Sequence, residues 1–330
     1  MRPFTHFSPK TLDESVALLQ RYGNQANLIA GGTDLLGKLK DRILPGYPEA
    51  LIDLKQIPNL NLVELDTTNG VICVGALALL EDIAENQLIR NYLPALAQAA
   101  SRTASPHLRA MGTLAGNLCQ DIRCWYYRHA DNRFPCLRKG GGNCYAIEGD
   151  NRYHSIFGGS VVEGCYAVHP SDTAPALVAL DAIIHTTRRI LPIEALFGVG
   201  VQRTTVLQPD EIVTEIRIPT PAPGTQSAFL KFAMRKSIDF PIVNCAACVT
   251  TEQGGVAKAR ICLNAVYITP YRPFTAEETL QGKRLTEETI AQAADAAVAA
   301  AQPMSGNRYM IRIARTLIKR VLAAVQDTTM

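Results

Sequence analysis

Three prolines crowded into six residues do most to restrict the fold of this chain. The segment Pro219-Thr220-Pro221-Ala222-Pro223-Gly224 cannot continue a helix or a strand ladder, because proline lacks the backbone N–H and its ring fixes φ. A chain of 330 residues is also long enough to build two separate cores. We therefore predict two domains, which span residues 1–222 and 223–330.

Hydrophobic periodicity predicts an α+β fold. In the first domain, a strand at 27–30, a helix over about 35–40 and a strand at 50–54 form a small β-α-β unit. Beyond the prolines, three strands are followed by helices, the last of which carries one apolar stripe. These strands are predicted at 228–235, 243–250 and 257–266, and the helices at 275–280, 286–301 and 309–326.

Composition argues against several classes of partner. The net charge of +3 is too small to indicate nucleic acid or a membrane surface, and no apolar run reaches the ~20 residues that cross a bilayer. Residues 1–7 lack the apolar core of a signal peptide. Nine cysteines, an odd number, therefore favour reduced thiols and a cytoplasmic location. Export together with a signal-bearing partner is the alternative.

Two glycine-containing loops have the layout of a phosphate site. The first is Ile29-Ala30-Gly31-Gly32-Thr33-Asp34-Leu35, and the second is Gly112-Thr113-Leu114-Ala115-Gly116-Asn117. Glycines let backbone amides approach an anion, and a helix N-terminus adds a favourable dipole. Either loop alone is equally typical of a plain turn, and the third glycine of the nicotinamide fingerprint is missing. Together the loops could grip one pyrophosphate from both sides.

Five of the nine cysteines follow closely on the second loop: Cys119, Cys124, Cys136, Cys144 and Cys165. Thiolates gathered this densely indicate a metal or an iron–sulfur cluster. Structural zinc favours closely spaced Cys-x2-4-Cys pairs, whereas these spacings are wide. Disulfides or plain buried thiols are the remaining alternatives.

A separate Cys-x2-Cys pair, Cys245 and Cys248, lies inside an apolar segment that is predicted to be a strand. In a regular strand the two side chains would not share one edge, so a metal or redox pair would require a bulge. We predict two small buried hydrophobic side chains instead.

The chain resembles the FAD-binding medium subunits of the molybdenum hydroxylases, the xanthine dehydrogenase and carbon monoxide dehydrogenase family. The resemblance covers essentially the whole chain in order. The motifs that carry it are Ala30-Gly31-Gly32-Thr33-Asp34-Leu35-Leu36, Gly75-Ala76, Thr113-Leu114-Ala115-Gly116-Asn117, Pro170-Ser171-Asp172, Glu215-Ile216-Arg217-Ile218-Pro219 and residues 309–322. It implies a two-lobed PCMH-type FAD-binding domain, with lobes at about 1–58 and 59–222. A small C-terminal domain of the carbon monoxide dehydrogenase flavoprotein type would follow.

The resemblance also implies an FAD site built from both loops. Residues 28–35 would wrap the pyrophosphate, and the second loop would lie opposite. Asp172 matches an acidic residue that contacts the flavin, while Val213 and Lys231 match positions that flank its ring. The implied FAD-contacting residues are Leu28, Ile29, Ala30, Gly31, Gly32, Thr33, Asp34, Leu35, Thr103, Arg109, Thr113, Gly116, Asn117, Asp172, Val213 and Lys231.

Residues 119–168 resemble an insertion that only a subset of the family carries. The β subunit of 4-hydroxybenzoyl-CoA reductase and the flavin subunit of a periplasmic aldehyde oxidoreductase represent this subset, in which the insertion holds an additional [4Fe-4S] cluster. The implied ligands are Cys124, Cys136, Cys144 and Cys165. Cys119 is expected to be packed, and whether it replaces one ligand stays open.

By resemblance, the chain is an electron-transfer subunit without catalytic residues of its own. Substrate chemistry would take place at a molybdenum cofactor on a large partner subunit. A small partner with two [2Fe-2S] clusters would exchange electrons with FAD here, and the extra cluster would reach a carrier such as a ferredoxin. A dimer of heterotrimers is one expected assembly. The alternatives are a stand-alone FAD oxidoreductase and a non-enzymatic iron–sulfur assembly module.

Overall fold

The computed structural model describes residues 1–160, 164–198, 200 and 203–326. The fold is α+β, as predicted. The strands are β1 (Thr5–Phe7), β2 (Ala26–Ile29), β3 (Ala50–Asp53), β4 (Val63–Asp66), β5 (Val71–Gly75), β6 (Ile183–Thr186), β7 (Ile190–Pro192), β8 (Val213–Pro219), β9 (Thr225–Phe232), β10 (Val243–Glu252) and β11 (Gly255–Asn264). The α-helices are α1 (Leu12–Tyr22), α2 (Leu35–Asp41), α3 (Leu80–Glu85), α4 (Gln87–Tyr92), α5 (Pro94–Ser101), α6 (Pro106–Arg109), α7 (Leu114–Leu118), α8 (Trp125–Arg128), α9 (Thr173–Ala179), α10 (Phe274–Leu280), α11 (Glu287–Val298) and α12 (Tyr309–Gln326). None of these helices is long and apolar enough to cross a bilayer.

The N-terminal sheet contains the predicted β-α-β unit. Its strands are parallel in the order β1-β3-β2, and α2 connects β2 to β3. The central strand β3 is buried along its whole length, as expected for a strand covered on both faces. The glycine loop between β2 and α2 therefore starts from a fixed strand end.

A five-stranded antiparallel sheet forms the second lobe, in the order β4-β5-β8-β6-β7. Strand β8 lies at its centre and pairs with β5, which comes far earlier in the chain, and with β6. The apolar face of this sheet packs with helices α3, α5 and α9 in the largest hydrophobic core. Pro219 ends β8 opposite Val71 at the end of the ladder, where a missing N–H is tolerated.

The C-terminal sheet is three-stranded and antiparallel, in the order β11-β10-β9. One face joins helices α10–α12 in a second core, and the other face packs against α5 and α9. Cys245 lies in the second core, whereas Cys248 packs against the first. Residues three apart in a strand face opposite ways. The prediction of a buried packing residue is confirmed for Cys245, whereas Cys248 is only partly buried.

The segment between α7 and α9 is largely irregular and has a small core of its own. Its centre is formed by Ile122, Tyr127, Cys136, Cys165 and Ala167, which pack together with Ile43 and Ile268. The short helix α8 starts directly after Cys124. The described residues of this segment therefore pack a small apolar centre against Ile43 and Ile268, while many of their other side chains are exposed.

Candidate cofactor site

A cavity of about 370 Å³ lies where the two glycine loops meet. This volume falls within the usual range of ligand pockets. The predicted residues that line it are Leu28, Ile29, Ala30, Gly31, Gly32, Thr33, Asp34, Leu35, Thr103, Thr113, Gly116, Asn117, Asp172 and Val213. The structure thus brings together residues from β2, α7 and β8 and the residue before α9, Asp172, which are far apart in sequence.

The two loops touch through their backbones, and glycine is what permits this. A Cβ added to Gly31 would lie 2.0 Å from the carbonyl oxygen of Met111 and 3.0 Å from Cα of Gly112. Gly32 has φ +71°, a value that side-chain-bearing residues seldom adopt. The glycine pair therefore allows both a sharp turn and close contact with the second loop.

The second loop is fixed by its own side chains. Thr113 caps α7, where its hydroxyl accepts a hydrogen bond from the Gly116 amide at 3.2 Å. The side-chain oxygen of Asn117 accepts bonds from Ser171 at 2.5 Å and Thr173 at 2.7 Å. Asn117 thus ties the second loop to the start of α9, next to Asp172.

Asp172, which directly precedes α9, forms a buried ion pair with Lys231 of β9 at the cavity. Its carboxylate accepts hydrogen bonds from Lys231 Nζ at 2.7 Å and from Asn244 Nδ2 at 2.7 Å. Both charged side chains are only 4% exposed. Burial raises the pKa of Asp172, and the adjacent Lys231 and Asn244 act in the opposite direction. Lys231 is not part of the cavity lining, so its place is behind Asp172.

Arg109 also lies behind the cavity wall. Its Nε donates to Glu81 at 2.6 Å and its Nη1 donates to the carbonyl oxygen of Thr103 at 3.2 Å. Thr103 is a lining residue, and Arg109 is not. The structure therefore gives Arg109 a supporting position, and its direct contact with a cofactor stays a prediction.

Arg123 is a lining residue that sequence reasoning missed. Its Nε is buried without a hydrogen-bond partner, and its guanidinium lies 3.3 Å from the ring centroid of Phe240. Burial lowers the pKa of Arg123 to about 9. A buried cation with an unpaired donor at the wall of a cavity suits an anionic ligand. The sequence feature that could have identified Arg123 is its position between the second glycine loop and Cys124.

A second, smaller cavity is lined by all four predicted cluster ligands, Cys124, Cys136, Cys144 and Cys165. Tyr126, Tyr127 and Tyr145 are among its other walls. Cys119 lines the larger cavity instead. The four thiols therefore converge although 41 residues separate the first from the last, as the numbering shows.

The environment of these thiols is apolar and includes one close polar contact. His154 Nε2 lies 3.3 Å from the sulfur of Cys124, and its Nδ1 is buried without a partner. Burial raises the pKa of Cys124 to about 12 and that of Cys165 to about 11. With pKa values this high, Cys124 and Cys165 are neutral thiols at pH 7.

Two alternatives for the cysteines do not fit the geometry. All nine cysteines lie in the described part of the chain, and each is a free thiol without a disulfide. Within the described residues, no three His, Cys, Asp or Glu side chains are close enough to hold a single metal ion. A zinc site, in which ligands sit about 2.3 Å from one ion, is therefore not preformed. In the described residues, the four thiols around the smaller cavity are thus neither disulfide-bonded nor a preformed zinc site.

Comparison with known proteins identifies the family. Residues 2–221 match the family described as the FAD binding domain in molybdopterin dehydrogenase, and residues 228–325 match the carbon monoxide dehydrogenase flavoprotein C-terminal domain. The chain is 32% identical to the aldehyde oxidoreductase FAD-binding subunit PaoB of Escherichia coli, over 98% of both chains. It is 30% identical to the carbon monoxide dehydrogenase medium chain of Hydrogenophaga pseudoflava, over 97% of this chain and 96% of that one.

A solved structure supports the same conclusion. The carbon monoxide dehydrogenase of Hydrogenophaga pseudoflava that lacks the molybdenum–pyranopterin moiety has a chain that superimposes with a TM-score of 0.77. Identity is 27%, and 99% of each chain is covered. The chain therefore belongs to the FAD-binding subunits of the molybdopterin dehydrogenases, the molybdenum hydroxylase family that includes carbon monoxide dehydrogenase and xanthine dehydrogenase, and it is an oxidoreductase subunit.

Proposed function

We propose that this chain carries FAD in the larger cavity and a [4Fe-4S] cluster in the thiol cavity, as the electron-transfer subunit of a molybdenum-dependent complex. Bound FAD supplies both one-electron and two-electron chemistry. Substrate would react at a molybdenum cofactor on a large partner. A small partner with two [2Fe-2S] clusters would exchange electrons with this chain. The described residues of the larger cavity supply binding and orientation.

The larger cavity suits an FAD diphosphate. The loop at Gly31 and Gly32 presents backbone where a Cβ would obstruct the second loop, and Arg123 offers a buried, unpaired guanidinium donor in the same wall. Backbone amides and a guanidinium are the groups that bind phosphate best. Apolar side chains such as Val213 and Ile238 line the cavity and suit a flavin ring.

The observation that carries the [4Fe-4S] proposal is the convergence of four thiols on one apolar cavity. Cys thiolates are the usual ligands of such clusters, and hydrogen bonds and low solvent access tune their potential. His154 at Cys124 supplies a candidate hydrogen bond, and three tyrosines restrict water. Arg123 lines the larger cavity and Cys124 the smaller, so the two centres would be neighbours.

The partners and the location follow from the family in the same proposal. The relative from Hydrogenophaga pseudoflava is a medium chain, which supports large and small partner subunits for this chain and a dimer of heterotrimers as the assembly. A carrier such as a ferredoxin would accept electrons from the cluster. We place the complex in the cytoplasm, with co-export to the periplasm as the alternative.

Anaerobic purification of the full chain tests both cofactors. We expect flavin absorption, a broad iron–sulfur band, and about four irons and four sulfides per chain. Cys136→Ser should lower iron content, while flavin absorption should still be detected. Cys119→Ser is the matched control, because Cys119 is outside the thiol cavity, and it should retain iron. Equal iron loss in both variants, or a colourless wild-type protein, would contradict the assignment.

Copurification tests the subunit role. Tagged protein expressed with its neighbouring genes should recover a molybdopterin-binding large subunit and a small iron–sulfur subunit. Turnover of an oxidisable substrate by the isolated chain would show that it is a complete enzyme and would refute the proposal.

A further inference from the structure

We propose that a buried ionic network centred on Asp121 and Arg128 couples the two cavities, so that a cluster in the thiol cavity strengthens FAD binding and FAD strengthens iron retention. This inference rests on the proposed function, because it requires both sites to be filled. Arg128 and Asp121 are positioning residues in this scheme and touch neither cofactor.

Arg128 connects α8 to the first glycine loop. Its Nη1 donates to Asp34 at 2.6 Å, and Asp34 lines the larger cavity. Its Nη2 and Nε donate to the carbonyl oxygens of Asp121 at 2.7 Å and Ile122 at 3.0 Å. The second oxygen of Asp34 accepts from the Asp121 amide at 3.1 Å. Asp34 is thus held by groups that belong to the cysteine segment.

The carboxylate of Asp121 also interacts with charged and polar side chains from both sides of the network. Lys38, on the helix that follows the first loop, donates to its carboxylate at 3.1 Å. Thr204 donates at 3.0 Å, and Tyr127 donates through a short hydrogen bond. Arg138, whose side chain is 2% exposed, lies 3.8 Å away. Burial works against the charged form, but these cations hold the pKa of Asp121 well below its usual range.

The network reaches the thiol cavity through two of its four cysteines. Cys124 is the residue immediately before α8, and its carbonyl oxygen accepts the amide of Arg128 at 2.9 Å. Arg138 follows Cys136 by two residues and, like Tyr127, lines the thiol cavity. A centre that fixes Cys124 and Cys136 would therefore fix the donors that hold Asp34.

Coupling follows because two of the four cysteines adjoin the network, Cys124 directly before α8 and Cys136 two residues before Arg138. No disulfide joins the four cysteines, so packing of the surrounding segment is what holds them near one another. Iron bound to all four would restrict those segments and pre-order Asp34 and its loop for FAD. Pre-ordering of a binding loop raises affinity by lowering the ordering cost. Thermodynamic linkage then requires bound FAD to raise the affinity for iron by the same factor.

The test compares FAD affinity of the full chain with and without iron. FAD fluorescence quenching is titrated on flavin-depleted protein, in reconstituted and chelator-stripped forms, for wild type, Arg128→Met and Arg315→Met. Arg315 pairs with Asp295 on the surface of the C-terminal helices and provides an arginine–aspartate control. We expect iron to tighten FAD binding about fivefold or more in wild type and control, and to change it little in Arg128→Met.

Equal FAD affinity in the two wild-type forms, or an unchanged iron effect in Arg128→Met, would overturn the coupling. Should Arg128→Met not fold, the reverse measurement needs no variant: FAD must raise the equilibrium iron occupancy of wild type against a chelator by the same factor. Absence of that effect also overturns the inference. Iron uptake without coupling rejects this inference alone, whereas absence of iron uptake rejects the cluster and the coupling together.

Discussion

Replacement of Gly31 by alanine is the sharpest test of how the larger cavity is built. The added Cβ would lie 2.0 Å from the carbonyl oxygen and 2.7 Å from the carbonyl carbon of Met111. Both obstacles are backbone atoms, so no side-chain rotation can relieve the overlap. The first and second glycine loops must therefore move apart, and the cavity that they form must change shape.

The size of the effect follows from the geometry. Overpacking of a well-packed site lowers the free energy of unfolding by about 1–3 kcal/mol, occasionally more. Because the obstacle is backbone, we expect Gly31→Ala to lie at the upper end of this range. For a domain of this size, each kcal/mol lowers Tm by roughly 2–4 °C. Because both loops line the cavity, we also expect FAD binding to weaken by about tenfold to a hundredfold, which corresponds to about 1.4–2.8 kcal/mol.

Gly37→Ala provides the matched control for this experiment. Gly37 lies inside α2, and an added Cβ there meets no atom within 4 Å. Alanine is favoured over glycine by about 1 kcal/mol in a helix interior, so this variant should be equally or more stable. FAD content after purification, FAD titration and thermal unfolding measure both variants. Normal FAD affinity in Gly31→Ala would refute the argument that loop contact shapes the cavity.

Substitutions of two buried titratable residues, Lys231 and His169, test the remaining electrostatics, and each has an exposed control. Lys231→Met leaves Asp172 buried without its cation, which should lower the free energy of unfolding by about 3 kcal/mol. The loss is not larger because Asn244 still donates a hydrogen bond to Asp172. The control Lys258→Met removes an exposed ion pair with Asp181 and should lower the free energy of unfolding by under ~1 kcal/mol. Equal urea midpoints for these two variants would contradict this account. Burial lowers the pKa of His169 to about 4, so this residue is protonated near pH 6.5 in the unfolded chain and only near pH 4 in the folded one. Its contribution to the free energy of unfolding is therefore complete above about pH 6.5. That contribution falls toward pH 4, by up to about 3 kcal/mol. His169→Gln should show a smaller loss between pH 7 and pH 5 than wild type, while the exposed His129→Gln should behave like wild type; an undiminished loss in His169→Gln would show that other groups carry the dependence.

The regular elements of the C-terminal sheet and helices could be predicted because their patterns are local. Strands β9–β11 and helices α10–α12 differ from the predicted bounds by a few residues at most ends. Strands β1 (three residues) and β4 (four residues) were not predicted, although β2 and β3 are similarly short. Their strand character depends on pairing with β3 and β5 and not on their own sequence.

The candidate site shows the same division between local pattern and remote contact. Glycine loops are visible in sequence because turn geometry demands the residue type, and the structure places both at one cavity. Arg123 gave no comparable signal, since its importance comes from Phe240 and from a missing hydrogen-bond partner. The positions of Arg109 and Lys231 behind the wall likewise depend on partners that only the folded chain brings near.

Because β10 packs into a different core on each face, cleavage or truncation near this strand has a particular consequence. Cys245 and Cys248, three residues apart, belong to different cores, and Gly224 in the proline segment is itself bonded to Thr251 at the far end of β10. A protease cut within that connector would nick the backbone without freeing either half. The C-terminal sheet and helices thus support the FAD-binding part of the chain. Truncation of the gene before them would expose an apolar helix surface instead of yielding a minimal flavoprotein.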